Sequence, residues 1–169
     1  MAEPDLADYC VVGPTTELGR LGGSDDAMAD QSTTRLVFPS KLDEVTSVQN
    51  AIVDSAEKAG FEEQALFAIR LALDEALTNA VRHGNGSDPN KQVTVEFTVE
   101  PRQLTIHIED QGPGFVPDEV PDPTAEENLC RPHGRGVMLM RAYMSDVQYN
   151  KEGNRVTLIK CRDCALPRS

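Results

Sequence analysis

The chain has no apolar run approaching the roughly 20 residues that cross a bilayer, and its N-terminus has no signal-peptide h-region. Both absences lead to the expectation of a soluble, cytoplasmic protein with no membrane partner. Positive charge is scarce: 16 Lys and Arg stand against 28 Asp and Glu, for a formal net charge of −12. Phosphate backbones demand clustered Lys and Arg, so nucleic acid is not expected as a direct partner. Cysteine is sparse too. Cys10, Cys130, Cys161 and Cys164 are too few for a disulfide framework in 169 residues. Cys161-Arg-Asp-Cys164 has half a zinc site's spacing, but no second nearby pair completes four ligands, so two reduced thiols are expected there. GxxxxGK[ST] does not occur, the eukaryotic protein-kinase motif set is missing, and no internal repeat is visible.

What is present is one domain's worth of chain, with 39% hydrophobic and 26% charged residues, ordinary values for a soluble globular protein. The acidity is unevenly placed. Glu3, Asp5, Asp8, Glu17, Asp25, Asp26 and Asp30 face Arg20 alone in the first 33 residues, which puts half of the net charge there. Residues 1–32 are rich in Gly, Asp, Ser and Thr without a sustained period, the composition of a flexible acidic tail. The folded domain is expected over 33–162, with 163–169 as a short C-terminal tail.

From Thr34 the pattern becomes periodic. Thr34-Arg-Leu-Val-Phe-Pro39 reads as a strand stopped by proline, and Ser40 offers an N-cap. Leu42, Val45, Val48, Ile52 and Ala56 recur at helical spacing until Gly60. A second helix is predicted from about Glu62 to His83, closing at Gly84-Asn85-Gly86, with Leu66, Ile69, Leu73, Leu77 and Ala80 as its apolar stripe. Gln92–Val99 and Gln103–Glu109 alternate around Pro101-Arg102, the signature of a hairpin. A long Pro-, Asp- and Glu-rich stretch runs to Pro132, and a segment of that kind in a compact domain is a lid, a binding loop or disorder. Val137, Met140, Tyr143 and Met144 then mark a third helix, followed by strands at Val147–Asn150 and Arg155–Cys161. The order β-α-α-β-β-loop-α-β-β predicts an α+β fold, a two-layer sandwich with a mixed, mostly antiparallel sheet and helices on one face.

Three groups of residues have the chemistry of a nucleotide site. On the second helix Glu75, Asn79 and Arg82 share the side opposite the stripe, at about 3.6 residues per turn. A carboxylate and an amide one turn apart suit a hydrated Mg²⁺, which prefers oxygen ligands. Asp110, ending a strand, can accept from an adenine amino group, and Gly112 and Gly114 let backbone approach a flat base. Gly134, Arg135 and Gly136 open a helix, where free N–H groups and the helix dipole favour phosphate. Taken singly, these groups also read as a solvated polar face, a Gly/Pro turn and a loop-to-helix hinge. His83 suits a C-terminal dipole cap, His107 a structural place mid-strand, and His133 borders the third group.

Together and in this order the segments resemble the GHKL (Bergerat-fold, histidine-kinase-like) ATPases. Leu73-Asp-Glu-Ala-Leu-Thr-Asn-Ala-Val-Arg-His-Gly84 is similar to the family's N box, Asp110-Gln-Gly-Pro-Gly-Phe115 to its G1 box, and Gly134-Arg-Gly-Val-Met-Leu-Met140 to its G2 box. The likeness covers about residues 33–161 and is greatest to the anti-sigma-factor serine/threonine kinases. The short chain leads to the expectation that no dimerisation and phosphoacceptor helix pair, as in a sensor histidine kinase, precedes the boxes. The resemblance implies ATP and Mg²⁺ as cofactors, Glu75 as the catalytic residue polarising the attacking hydroxyl, and Asn79 as the Mg²⁺ ligand. It implies Asp110 as reader of the adenine amino group, Gly112 and Gly114 bordering the base, and Gly134, Arg135 and Gly136 closing over the phosphates. Residues 116–133 would be the ATP lid. The implied reaction is γ-phosphoryl transfer to a Ser or Thr of a STAS-domain anti-anti-sigma protein, with a sigma factor as the competing partner. Two other functions stay open: a non-catalytic, nucleotide-gated partner-binding module, and a kinase of the same fold outside sigma regulation. A homodimer is a further expectation, since relatives pair and strand edges invite it. Where relatives often carry Thr-Thr-Val after the last hairpin's glycine, this chain has Gly153-Asn154-Arg155-Val156.

Overall fold

The computed structural model describes residues 33–114 and 135–163. The expected acidic tail (1–32), the lid segment (116–133), Gly134 and Cys164 lie outside the described residues. Strand β1 (Thr33–Pro39) is followed by helices α1 (Leu42–Lys58) and α2 (Glu63–Asn79), and α2 continues into a π turn (Ala80–Gly84). Strands β2 (Gln92–Val99) and β3 (Gln103–Asp110), helix α3 (Arg135–Tyr143), and strands β4 (Asp146–Tyr149) and β5 (Arg155–Cys161) complete the order. The expected sequence of elements is reproduced.

The strands form one five-stranded sheet in the order β1-β2-β3-β5-β4. Every described pairing is antiparallel, so the sheet expected to be mixed has no parallel pair among the described residues. Alternation dictates which face is covered. Leu36 and Phe38 of β1, Val93, Val95 and Phe97 of β2, Leu104, Ile106 and Ile108 of β3, and Val156 and Leu158 of β5 point inward. They meet Val48 and Ile52 of α1, Ile69, Leu73 and Leu77 of α2, and Met140 of α3, in one continuous core. The α2 stripe is as expected at Ile69, Leu73, Leu77 and Ala80, whereas Leu66 is only partly covered and the smaller Ala65, Ala68, Ala72 and Ala76 are buried instead. Alanines along α2 let α1 and α3 come close on either side of it.

The opposite sheet face carries no helix among the described residues and is polar. Arg35 pairs with Glu96 at 3.3 Å, and Arg155 reaches Glu96 at 3.4 Å and Glu109 at 3.5 Å. Between them His107 contacts the Thr157 hydroxyl at 2.9 Å. Burial, and next the Arg155 charge, push His107 below its ordinary pKa, against the pull of Glu96.

Three local expectations change. Ser40 does not cap α1: Lys41 occupies the N-cap, with no side-chain bond. Ser40 is buried instead, its N–H donating to Lys91 O at 2.9 Å and its hydroxyl to Val81 O at 3.4 Å. Cys161, expected as a reduced thiol, is disulfide-bonded, and the other three cysteines lie outside the described residues. The second helix does not run to His83 as α-helix. Asn85 N–H donates to Ala80 O at 2.8 Å, an i→i−5 bond, so one extra residue is accommodated just after Asn79.

The C-terminal end of α3 is stitched to β5. The buried Lys160 ammonium donates to Tyr143 O at 2.7 Å, Ser145 N–H to Ile159 O at 2.8 Å, and Cys161 N–H to the Ser145 hydroxyl at 2.9 Å. Burial lowers the Lys160 pKa, and the carbonyl acceptor at a helix C-terminus compensates part of the cost of enclosing the cation.

Candidate functional site

Helix α2 presents Glu75 and Asn79 one turn apart, both half-buried and neither hydrogen-bonded nor ion-paired among the described residues. Facing them is the first turn of α3. A Cβ placed on Gly136 would collide with Glu75 Oε2 and lie 3.3 Å from Glu75 Cδ and 3.4 Å from Asn79 Nδ2. With glycine at 136 the α3 backbone comes this close while Glu75 keeps its present rotamer. The first turn of α3, whose N–H groups have no partner inside the helix, therefore begins beside a carboxylate and an amide. Arg135 begins α3, with its side chain outside the described residues. Arg82, expected on the same side as Glu75, lies in the π turn and is exposed, and no described contact joins it to Glu75 or Asn79.

The π turn has a second consequence. It brings Gly84 against the end of β3, where an added Cβ would overlap the Asp110 carboxylate, and it turns Asn85 inward to 2% exposure. Asn85 Oδ1 accepts from Gln111 N–H at 2.8 Å, and its Nδ2 donates to Gln92 O at 2.9 Å. Gln111 Oε1 accepts from Gln92 N–H at 2.8 Å, closing a small ring of bonds between the π turn, β2 and the segment after β3. Sequence reasoning read Asn85 as helix-closing punctuation and missed this role. A buried amide between two loops has no periodic signature.

Asp110 ends the central strand β3. Its Oδ1 accepts from Gly112 N–H at 2.8 Å. Burial raises its pKa above the ordinary 3.8, opposed by the Gly112 hydrogen bond and the Lys91 charge and assisted by Glu109. Gly112 packs its Cα on the Gly84 carbonyl, so a side chain there would drive into backbone. Gly114, at φ +75°, rests on the Glu152 carbonyl in the turn between β4 and β5. Six of the expected site residues thus fall into two clusters. One is Glu75, Asn79 and Gly136 between α2 and α3. The other is Asp110, Gly112 and Gly114 between the π turn and the β4–β5 turn.

These residues fit a nucleotide. The start of α3 at Gly136 lies against the Glu75 carboxylate and beside the unengaged Asn79 amide, and a helix start is where phosphate is favoured. The half-buried Asp110 carboxylate keeps one oxygen without a hydrogen bond among the described residues. Among the described residues no group of three or more His, Cys, Asp or Glu gathers to hold a metal by protein ligands alone. No described helix is long and apolar enough to cross a membrane.

A two-layer fold with open polar groups between α2 and α3, and a carboxylate at the end of the central strand, belongs to a definite class. The profile of the histidine kinase-like ATPase domain matches residues 38–160, and the chain belongs to that family. Among individual proteins it is 29% identical over 143 residues to a serine-protein kinase RsbW of Listeria monocytogenes serotype 4a (strain HCC23), covering 79% of this chain and 88% of that protein. A serine-protein kinase RsbW of Oceanobacillus iheyensis is 25% identical over 131 residues, 74% of this chain and 83% of its own. An anti-sigma F factor of Clostridium perfringens (strain SM101 / Type A) is 32% identical over 99 residues, 57% of this chain and 70% of its own.

Proposed function

We propose that this protein is a cytoplasmic, anti-sigma-type serine/threonine kinase. In this reading it binds Mg·ATP within residues 33–162 and phosphorylates a STAS-type anti-anti-sigma partner, while a sigma factor competes for the same kinase. The observation that carries it is the seat of Gly136 against Glu75 and Asn79, which brings the start of a helix, a carboxylate and an amide together. The names of the relatives, serine-protein kinase and anti-sigma F factor, support the same class of activity.

The chemistry asked of the residues is modest, because positioning and charge neutralisation dominate phosphoryl transfer. The Glu75 carboxylate accepts the proton of the partner's Ser or Thr hydroxyl as that oxygen bonds to the γ-phosphorus. The bond from the γ-phosphorus to the β,γ-bridging oxygen breaks, and ADP leaves. Asn79 would hold Mg²⁺ through its amide oxygen, and the metal neutralises phosphate charge when bound. Asp110 would accept from the adenine amino group. Gly112 and Gly114 would border the base, with Gly134, Arg135 and Gly136 at the phosphates.

The test is transfer of γ-labelled phosphate to proteins that co-purify from the native host, with Glu75→Ala and Asn79→Ala beside the unaltered chain. Label on a Ser or Thr of a small partner, lost in both variants, is the expected result. Tight Mg·ATP binding with a recovered but unlabelled partner would instead favour a nucleotide-gated binding module, the reading in which Glu75 is idle. A labelled partner that does not control a sigma factor would place the kinase in another partner-switching pathway.

A further inference from the structure

The β3–β5 ladder keeps its register but loses one hydrogen bond at Asp110, the residue read as recognising the base. In a hydrogen-bonded antiparallel pair each residue donates its N–H to the other's carbonyl. At the end of the ladder Asp110 N–H donates to Asn154 O at 2.9 Å, as the pattern requires. The return bond does not form. Asn154 N–H is drawn back into its own turn and donates to Asn150 Oδ1 at 3.1 Å, alongside Arg155 N–H at 3.1 Å. In place of the missing bond, the Asn154 side chain donates from Nδ2 to Asp110 O at 3.2 Å. Its Oδ1 accepts from Asn150 Nδ2 at 2.8 Å, so the amide is held at both ends. The same turn supplies the Glu152 carbonyl on which Gly114 rests. The β4–β5 turn is therefore the backing of the whole Asp110–Gly114 segment.

We propose that Asn154, braced by Asn150, is the positioning residue that aims the Asp110 carboxylate at the amino group of an adenine base, and so sets selectivity for a 6-aminopurine nucleotide. The inference rests on the reading of Asp110 as the base-recognising acid. The reasoning is geometric. A ladder that ends with one bond lets the terminal residue rotate about the remaining contact, and the Asn154 amide removes that freedom at Asp110. The acid end of β3 then points in one direction, with Gly112 N–H fixing one of its two oxygens.

The experiment is equilibrium binding of Mg·ATP and of the Mg complex of purine riboside triphosphate, which lacks the 6-amino group, to the full chain. Asn154→Ala removes the amide. Asn154→Asp keeps its shape and the acceptor facing Asn150 while removing the donor to Asp110 O. Circular dichroism melting confirms that each is folded. Both variants should weaken ATP about three- to tenfold, the worth of one net hydrogen bond, and leave the amino-free nucleotide unchanged. Equal loss for both nucleotides, or no loss for ATP in either variant, overturns the proposal. Asp110→Asn separates the two levels. If it abolishes the preference for ATP while both Asn154 variants keep it, the positioning inference alone falls. If it leaves the preference intact, the adenine reading of Asp110 falls and the inference with it.

Discussion

Replacing Asn85 with alanine should cost more stability than its position in a connecting turn suggests. The side chain is 2% exposed and makes two hydrogen bonds, from Gln111 N–H at 2.8 Å and to Gln92 O at 2.9 Å. Truncation to a methyl removes both and leaves a donor and an acceptor facing a cavity. Each bond is worth about 1 kcal/mol net, and a group left buried without a partner costs about 1–3 kcal/mol. Gln92 and Gln111 are themselves exposed residues, so water can reach part of the vacated space and the upper figure does not apply twice. The expected loss is about 2–3 kcal/mol, or about 6–12 °C in Tm for a domain of this size. Urea denaturation of the nucleotide-free chain, followed by far-UV circular dichroism, gives the difference directly. Asn85→Asp keeps the acceptor for Gln111 but places a negative charge against the Gln92 carbonyl, and should be at least as damaging. A loss below about 0.5 kcal/mol, the range of a neutral surface change, would refute the reasoning.

Two further outcomes follow from the site and the open sheet face. Gly136→Ala inserts a methyl into the space held by the Glu75 carboxylate, so α3 or Glu75 must shift. Phosphate transfer should fall at least tenfold with Tm changed by only a few degrees, and retained activity would mean that α3 moves away from Glu75 before reaction. His107 has its pKa depressed by burial and by Arg155, so the folded state resists protonation. Stability should then be complete above the ordinary value of 6.5 and decline as pH falls through it towards the lower folded value. His107→Gln should flatten that slope in melts between neutral and mildly acid pH, and an unchanged slope would assign the acid sensitivity to other groups.

Much of the fold was legible because it is written in periods. The alternation of Val93, Val95 and Phe97 against Leu104, Ile106 and Ile108 fixes a hairpin and its buried face together. The spacing of Ile69, Leu73 and Leu77 fixes the inward side of α2, and with it the outward placement of Glu75 and Asn79. What escaped was local and non-periodic. Nothing in Ala80–Gly84 distinguishes a π turn from a last α turn, since the difference is one hydrogen bond per residue shifted by one position. Ser40 has the composition of a cap, but a buried seat between Val81 and Lys91 competes for it and wins. Asn85, Asn150 and Asn154 sit in turns, where asparagine is so common that its presence carries little information. Their roles depend on which distant carbonyl each amide meets, and only the folded chain decides that.

The stitching of α3 to β5 makes the helix a lever with one fixed end. Lys160, Ile159 and Ser145 hold the Tyr143 end, while Gly136 lies at the other. The seven steps from Gly136 to Tyr143, at about 1.5 Å each, give an arm of about 10 Å between anchor and glycine. A tilt of about 10° about the anchor would carry Gly136 by about 2 Å, enough to open or shut its approach to Glu75 and Asn79. Any tilt of α3 is thus amplified at Gly136, and the buried lysine is the fulcrum.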